Sequence, residues 1–263
     1  MPPLFLFSLL KADKNDKEAD RINVKAFEKT AQAEERKIKQ ENETRNSLEK
    51  LANRKKGILL TSMNDFIATY EKIKKIEFQE SDGIQELSYW TGLLPELLQD
   101  IRSMSTVAGM TMTNSQTIAA FIIGGIPGII KKESEINLSV ASMRRQQANI
   151  IESQIETICT ALEAIRTRAD KTAELLAKLN LLFRKTIDTT AQTIQEKGGN
   201  KTLYTRQDKE QIMTCINFAT AIKAIIDTKL IDENGEIAIQ STEAIQTGEA
   251  YLNRMHHVIG GYK

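Results

Sequence analysis

Aromatic residues, proline, cysteine and histidine are all scarce in this chain, and along one stretch charge is missing altogether. Aromatics make up 5% of the sequence and there is a single tryptophan, Trp90. That argues against a compact α/β enzyme, whereas abundant Ala, Ile, Leu, Lys, Glu and Gln suit long packed helices. Cys159 and Cys215 each fall among helical apolar positions, where a reduced core thiol fits better than a metal or redox site. His256 and His257 are adjacent, so on a helix they point about 100° apart and cannot easily share a metal. Neither has a glutamate three residues before it, which removes the ferritin-like diiron pattern.

Other chemical signatures are absent too. There is no zinc-protease helix, cysteine quartet or nucleophile elbow. The run Gly124-Gly125-Ile126-Pro127-Gly128-Ile129-Ile130-Lys131-Lys132 only imitates a phosphate loop: Ile130 stands where glycine must precede the lysine, and no hydroxyl residue follows. The sequence therefore yields no catalytic, cofactor-binding or metal residues, no small-molecule substrate, and the expectation that the protein is not an enzyme. Basic and acidic residues nearly cancel, 36 against 35, so no general attraction to nucleic acid is expected. The apolar N-terminus, Met1 to Leu10, lacks a charged leader and a small-residue cleavage site. It does not read as a signal peptide; it either packs on the body or dips into a membrane surface. A cytoplasmic location with peripheral or inserted membrane association is the expectation.

What the chain does have is helical periodicity. The spacing predicts a long helix over 11–79, softened at Gly57, with a solvated, mixed-charge first half and a sharper seam of Leu48, Leu51, Ile58, Phe66, Tyr70 and Ile73. Ser81-Asp82-Gly83 breaks it. The region 84–131 then holds a shorter amphipathic piece, bent or split at Gly92 and Pro95, followed by an apolar hairpin. Tyr89 and Trp90 fit either a lipid headgroup level or a neighbouring helix.

No glycine or proline interrupts Ile129 to Lys197, and a long coiled helix is predicted over 133–197. Its seam of Ile151, Ile155, Ile158, Leu162, Ile165, Ala169, Ala173, Leu176, Leu179, Phe183 and Ile187 is close to a heptad, which asks for an antiparallel or oligomeric partner. Gly198-Gly199-Asn200 ends it. Thr205 with Asp208 forms an N-cap pattern opening a C-terminal helical hairpin over 205–259, with a turn at Asp232 to Gly235 and a weak point at Gly248. No segment has strand periodicity long enough for a sheet. The expected fold is all-α: a single domain, an elongated helical bundle or coiled coil with an apolar hairpin at its tip.

That hairpin is the most unusual feature. Ser103 to Ile130 carries no charged side chain, and its second half, Ile118 to Ile130, is strongly apolar. It is shorter than the ~20 residues a helix needs to cross a bilayer, but two short arms could enter one. Arg102 and Lys131-Lys132 flank it as anchors able to reach phosphates. The residues expected to touch membrane are Ile118, Phe121, Ile122, Ile123, Ile126, Ile129 and Ile130. The alternative is a segment buried inside a soluble bundle or at a protein interface.

The order of elements, from Leu48-Glu49-Lys50-Leu51 through Phe66 and Ile73, the glycine-bearing apolar segment, the long helix and Leu230-Ile231-Asp232-Glu233-Asn234-Gly235, resembles a set of uncharacterised bacterial long-helix proteins. Those usually carry a longer glycine-rich apolar hairpin. The architecture is also similar to cytolysin-type α-helical pore-forming toxins, which hold an apolar tongue between long helices. Only the element order carries over from these resemblances; the charge-free segment and the long-helix seam themselves give the expectation of a non-enzymatic protein that binds membrane lipid, and forms pores or perturbs bilayers, through residues 103–130, with a second copy or another helix as partner. The rival expectation is a soluble coiled-coil scaffold or adaptor.

Overall fold

The structure, a computed structural model, describes the backbone of residues 4–76, 78, 85–111, 113–124, 152–232 and 237–260, and the side chains of 31–76, 78, 95–111, 113–123, 155–232 and 237–253. The described residues are helical almost throughout, and their one β contact is an isolated antiparallel bridge between Ile231 and Ile237. The fold is all-α.

Helix α1 runs Leu4–Ile58. Beyond Gly57 the helix widens into a π-helical turn, Leu59–Met63, before regaining α geometry in α2, Asn64–Ile73. A widened turn frees carbonyls from their usual i→i−4 partners. Here hydroxyls and an amide take over: Thr61 donates to Gly57 O (2.8 Å), Asn64 to Leu60 O (3.2 Å) and Ser105 to Leu59 O (3.1 Å). Gly57 thus marks a change of pitch within one continuous rod.

Helix α3 is Gln85–Met110 and keeps Pro95 inside it, so the expected split at Gly92 and Pro95 does not occur. Helix α4, Asn114–Ile118, continues into a π-helical stretch, Ala119–Gly124. Helix α5 is Glu152–Lys197, α6 is Arg206–Asp227 and α7 is Ile239–Gly260. Residues 133–151, expected to begin the long helix, lie outside the described residues, as does most of the Asp232 to Gly235 turn.

Contacts between helices fix their directions. Glu43 pairs with Arg166, Thr44 donates to Leu162 O, Ser47 to Asp170 Oδ2, and Phe66 meets Phe183. Both numbers climb together, so α1–α2 and α5 run parallel. The seam of α5 was expected to seek an antiparallel or oligomeric partner; its partner is the same chain's first helix, in the same direction. Helix α3 returns antiparallel along α1–α2, through Arg102–Glu71 and Lys56 to Thr111 O. Helix α6 descends along α5, from Lys197–Asp208 at one end to Phe183–Phe218, and α7 climbs again, with Gly248 against Leu175 and Ile225.

The core lies where these helices overlap. From Ala31 to Glu43 no side chain is buried, in keeping with the solvated charge run; burial starts at Thr44. The centre holds Leu51, Leu59, Phe66, Ala173, Leu176, Leu179, Phe183, Phe218 and Ile222, all at 0% exposure. One end is closed by Phe78 edge-on to Tyr204, whose hydroxyl donates to Gly198 O (2.8 Å). Gly198 sits at φ +62°, a left-handed C-terminal position that suits glycine. Thr205 and Asp208 form the reciprocal N-cap of α6, and Lys197 pairs with the same carboxylate. Burial pushes Asp208 up, but hydrogen bonds from Lys197 and from the Thr205 hydroxyl and amide prevail and hold it below the usual range.

Candidate functional site: the docked base of the apolar segment

The uncharged segment starts with order. Thr113 accepts from the Gln116 amide and the Gln116 side chain accepts from the Thr113 amide, a capping box that launches α4. The pattern Thr113-Asn114-Ser115-Gln116 was readable in the sequence but lay in a stretch expected to be merely polar. Directly after α4 the backbone widens, from Ala119, and delivers Phe121 and Ile122 to the core.

Phe121 is 2% exposed and Ile122 0%, in the same cluster as Phe66 and Phe183. Ile118 and Ile123 are partly buried and packed against that cluster. Ile126, Ile129 and Ile130 lie outside the described residues. In this structure, then, Phe121 and Ile122 are enclosed by protein where α6 ends. The segment's described half also does not sit at a tip. It lies part-way along α1, with Asn114 bonded to Glu49 and Phe121 O to Lys55.

Main-chain bonds hold the base in place. Ile122 O accepts from the amides of Leu230 (3.0 Å) and Ile231 (3.3 Å). That loop is braced in turn by the Ile231–Ile237 bridge and by Ala238 N to Leu230 O (3.0 Å). The segment and the α6–α7 connection therefore support each other.

Beneath them is Lys55, 1% exposed. Its Nζ donates to Phe121 O (3.0 Å), Ile226 O (3.1 Å) and Thr228 O (2.8 Å). An ammonium has three N–H donors, so all three find acceptors. Two of those carbonyls belong to the C-terminal end of α6, where the helix dipole favours a cation. Burial lowers the Lys55 pKa from 10.5 to about 7, against an opposing pull from Asp227. A buried charge is costly unless its bonds are complete, and here they are.

Sequence reasoning missed Lys55, although its signal was present. The seam Leu51 to Ile58 spans two helical turns, and position 55 falls on the same face by steps of four and three. A lysine at such a position must either reach solvent or meet buried acceptors.

Elsewhere the described residues offer little chemistry. They contain no group of three or more His, Cys, Asp or Glu placed to hold a metal ion. Cys215 is buried, which pushes its thiol up to about 12, and such a thiol is unreactive. Two open surface clefts, one with Lys72, Asp188 and Gln192 and the other with Glu43, Arg166 and Asp170, present solvated and ion-paired side chains. No helix among the described residues is long and apolar enough to cross a membrane.

Comparison of the chain with protein-family models, curated proteins and solved structures finds no match. The class that stands is an all-α bundle of parallel and antiparallel helices around one core.

Proposed function

We propose that the protein is a non-enzymatic helical bundle that keeps an uncharged apolar segment docked against its core and delivers it to a lipid surface. The observation that carries this reading is the pairing of two facts at one place. Ser103 to Ile130 has no charged side chain, and its described half is held by main-chain bonds and one lysine at the end of the core. Apolar side chains of this kind need cover in water, and burying each large one is worth about 1.5–3 kcal/mol. Protein supplies the cover in the docked form, and lipid acyl chains supply it after release. Because no described helix can span a bilayer, the reading is shallow or hairpin insertion at a cytoplasmic membrane face. Self-association belongs to the membrane-bound form in this reading, since α1 and α2 of the same chain occupy the α5 seam in the docked form. The element order shared with cytolysin-type helical pore formers is consistent with it.

Vesicle flotation with dye release tests the proposal. Wild type is expected to float with phosphatidylcholine–phosphatidylglycerol vesicles and to release dye. Ile123→Asp is expected to lose flotation while keeping its helicity by circular dichroism. A wild-type protein that never floats rules the reading out.

A second reading is favoured by the depth of Phe121 and Ile122 in the core: a helical scaffold in which the segment is permanently buried. It predicts no flotation, and Ile123→Asp would unfold the protein or break its complex.

A further inference from the structure

We propose that Lys55 is an autoinhibitory latch: its side-chain nitrogen ties the base of the apolar segment to the end of α6, and removing that side chain frees the segment while the rest of the bundle stays folded. The inference rests on the membrane reading for its purpose, but its mechanics stand on geometry alone.

Three pieces of chain distant in sequence meet at one nitrogen. Lys55 comes from α1, Phe121 from the π-helical stretch after α4, and Ile226 with Thr228 from the exit of α6. The carbonyl of Phe121 accepts from Lys55, and the next carbonyl, Ile122 O, is held by the amides of Leu230 and Ile231 just beyond Thr228. The latch therefore secures both sides of one joint: the segment, and the loop that clasps it.

The backbone at the joint is already primed for change. Residues 119–124 are π-helical, a geometry met mostly as short bulges at functional sites, and six successive residues of it need outside bonds to persist. Without the Lys55 side chain, the Phe121 carbonyl loses the buried donor it has here, which favours opening to water. The carbonyls of Ile226 and Thr228 lose theirs as well. The remaining core contacts of α2, α5 and α6 do not pass through Lys55: Phe66, Phe183 and Phe218 form their own ring contacts. Local opening and global unfolding are thus separable here.

The consequence is a segment that is released by competition for the ammonium. Anionic phosphates at a lipid surface are the chemical class suited to it, being stronger acceptors than peptide carbonyls. Contact with such a surface would draw Lys55 outward and free Phe121 and Ile122 together.

Hydrogen exchange on the full chain in solution, without vesicles, tests the latch directly. In Lys55→Met, with a methionine of similar length, the amides of residues 119–123, Leu230 and Ile231 are expected to exchange on the order of tenfold faster, while residues 176–187 of α5 keep wild-type protection. Lys55→Gln, which retains two donors, is expected to fall between. Unchanged protection at Leu230 and Ile231 overturns the proposal. So does a uniform rise across α5 and α6, or loss of folding in both variants, because either assigns Lys55 to general stability. The same proteins are then mixed with the phosphatidylcholine–phosphatidylglycerol vesicles. Faster dye release by Lys55→Met supports the latch as an inhibitor; a latch that opens in solution with no vesicle binding by any variant leaves the joint intact and discards the membrane reading instead.

Discussion

Phe66 and Phe183 meet in the middle of the core with ring centroids 5.7 Å apart and planes inclined at 49°. One belongs to α2 and the other to α5, and their meeting sets the register of two helices that travel in the same direction. Phe183 also lies 6.5 Å from Phe218, so a single side chain links α2, α5 and α6. It is 0% exposed. Phe183→Ala is therefore expected to lower unfolding free energy by about 3–5 kcal/mol, since the cavity would be walled by three helices that cannot all move inward. Urea denaturation followed by circular dichroism measures it. A loss well below 1 kcal/mol would show that the register is set elsewhere.

Stability should depend on pH through Lys55. Its pKa is near 7 when folded and near 10.5 in the open chain, the difference arising from burial and being partly offset by Asp227. Between those values the unfolded chain binds more protons than the folded one, so stability rises with pH across that window. The cost of burying the charge is present in full below pH 7 and is relieved as pH climbs. Asp227 also pairs with Lys223 (3.5 Å), which reaches Asp100 (2.9 Å). Comparison with Lys55→Met isolates the lysine: the wild-type urea midpoint should gain on the variant's between pH 7 and 10. A constant gap between the two would contradict the assignment.

Gly248 offers a test of packing. A Cβ added there would come within 2.8 Å of Ile225 Cδ1 and of Leu175 Cδ2, so α7 rests against α5 and α6 with no room for a side chain. Both atoms are the ends of side chains that can turn aside. Gly248→Ala should accordingly be close to neutral, its gain in helix propensity of about 1 kcal/mol offsetting the crowding. Gly248→Val cannot be absorbed in that way and is expected to cost about 1–3 kcal/mol. Thermal unfolding of the pair checks this; equal melting temperatures would mean that α7 shifts freely.

Much of this architecture was legible from residue spacing. Most described seam residues of α1–α2 and α5 are buried as their three-and-four spacing implied, with Leu48, Ile158, Leu162 and Ile165 only partly covered, and Thr205, Asp208 and Gly198 close and open helices where they were expected to. Those features are local: a helix face or a cap is written in a handful of neighbouring residues. Direction was not legible, because Leu51 and Ala173 carry no mark of whether their helices run together or opposed. Gly248 read as a weak point in a helix, whereas its bareness admits Leu175 and Ile225. Gly92 and Pro95 read as a bend or a split, and the helix continues through both without a split. The site was half legible. Its uncharged character stood out, but the burial of Phe121 and Ile122 depends on the end of α6, distant in sequence, and Lys55 was passed over within its own seam.

The co-directional pairing of the first and fifth helices has a consequence for synthesis. Leu51, Phe66 and Tyr70 leave the ribosome long before Ala173, Leu179 and Phe183 exist to receive them. No hairpin can shelter that face early, and closing so wide a loop is slow. The nascent chain must therefore carry a bare greasy stripe while it grows from Tyr70 to Ala173, which makes it a natural client for a holding chaperone.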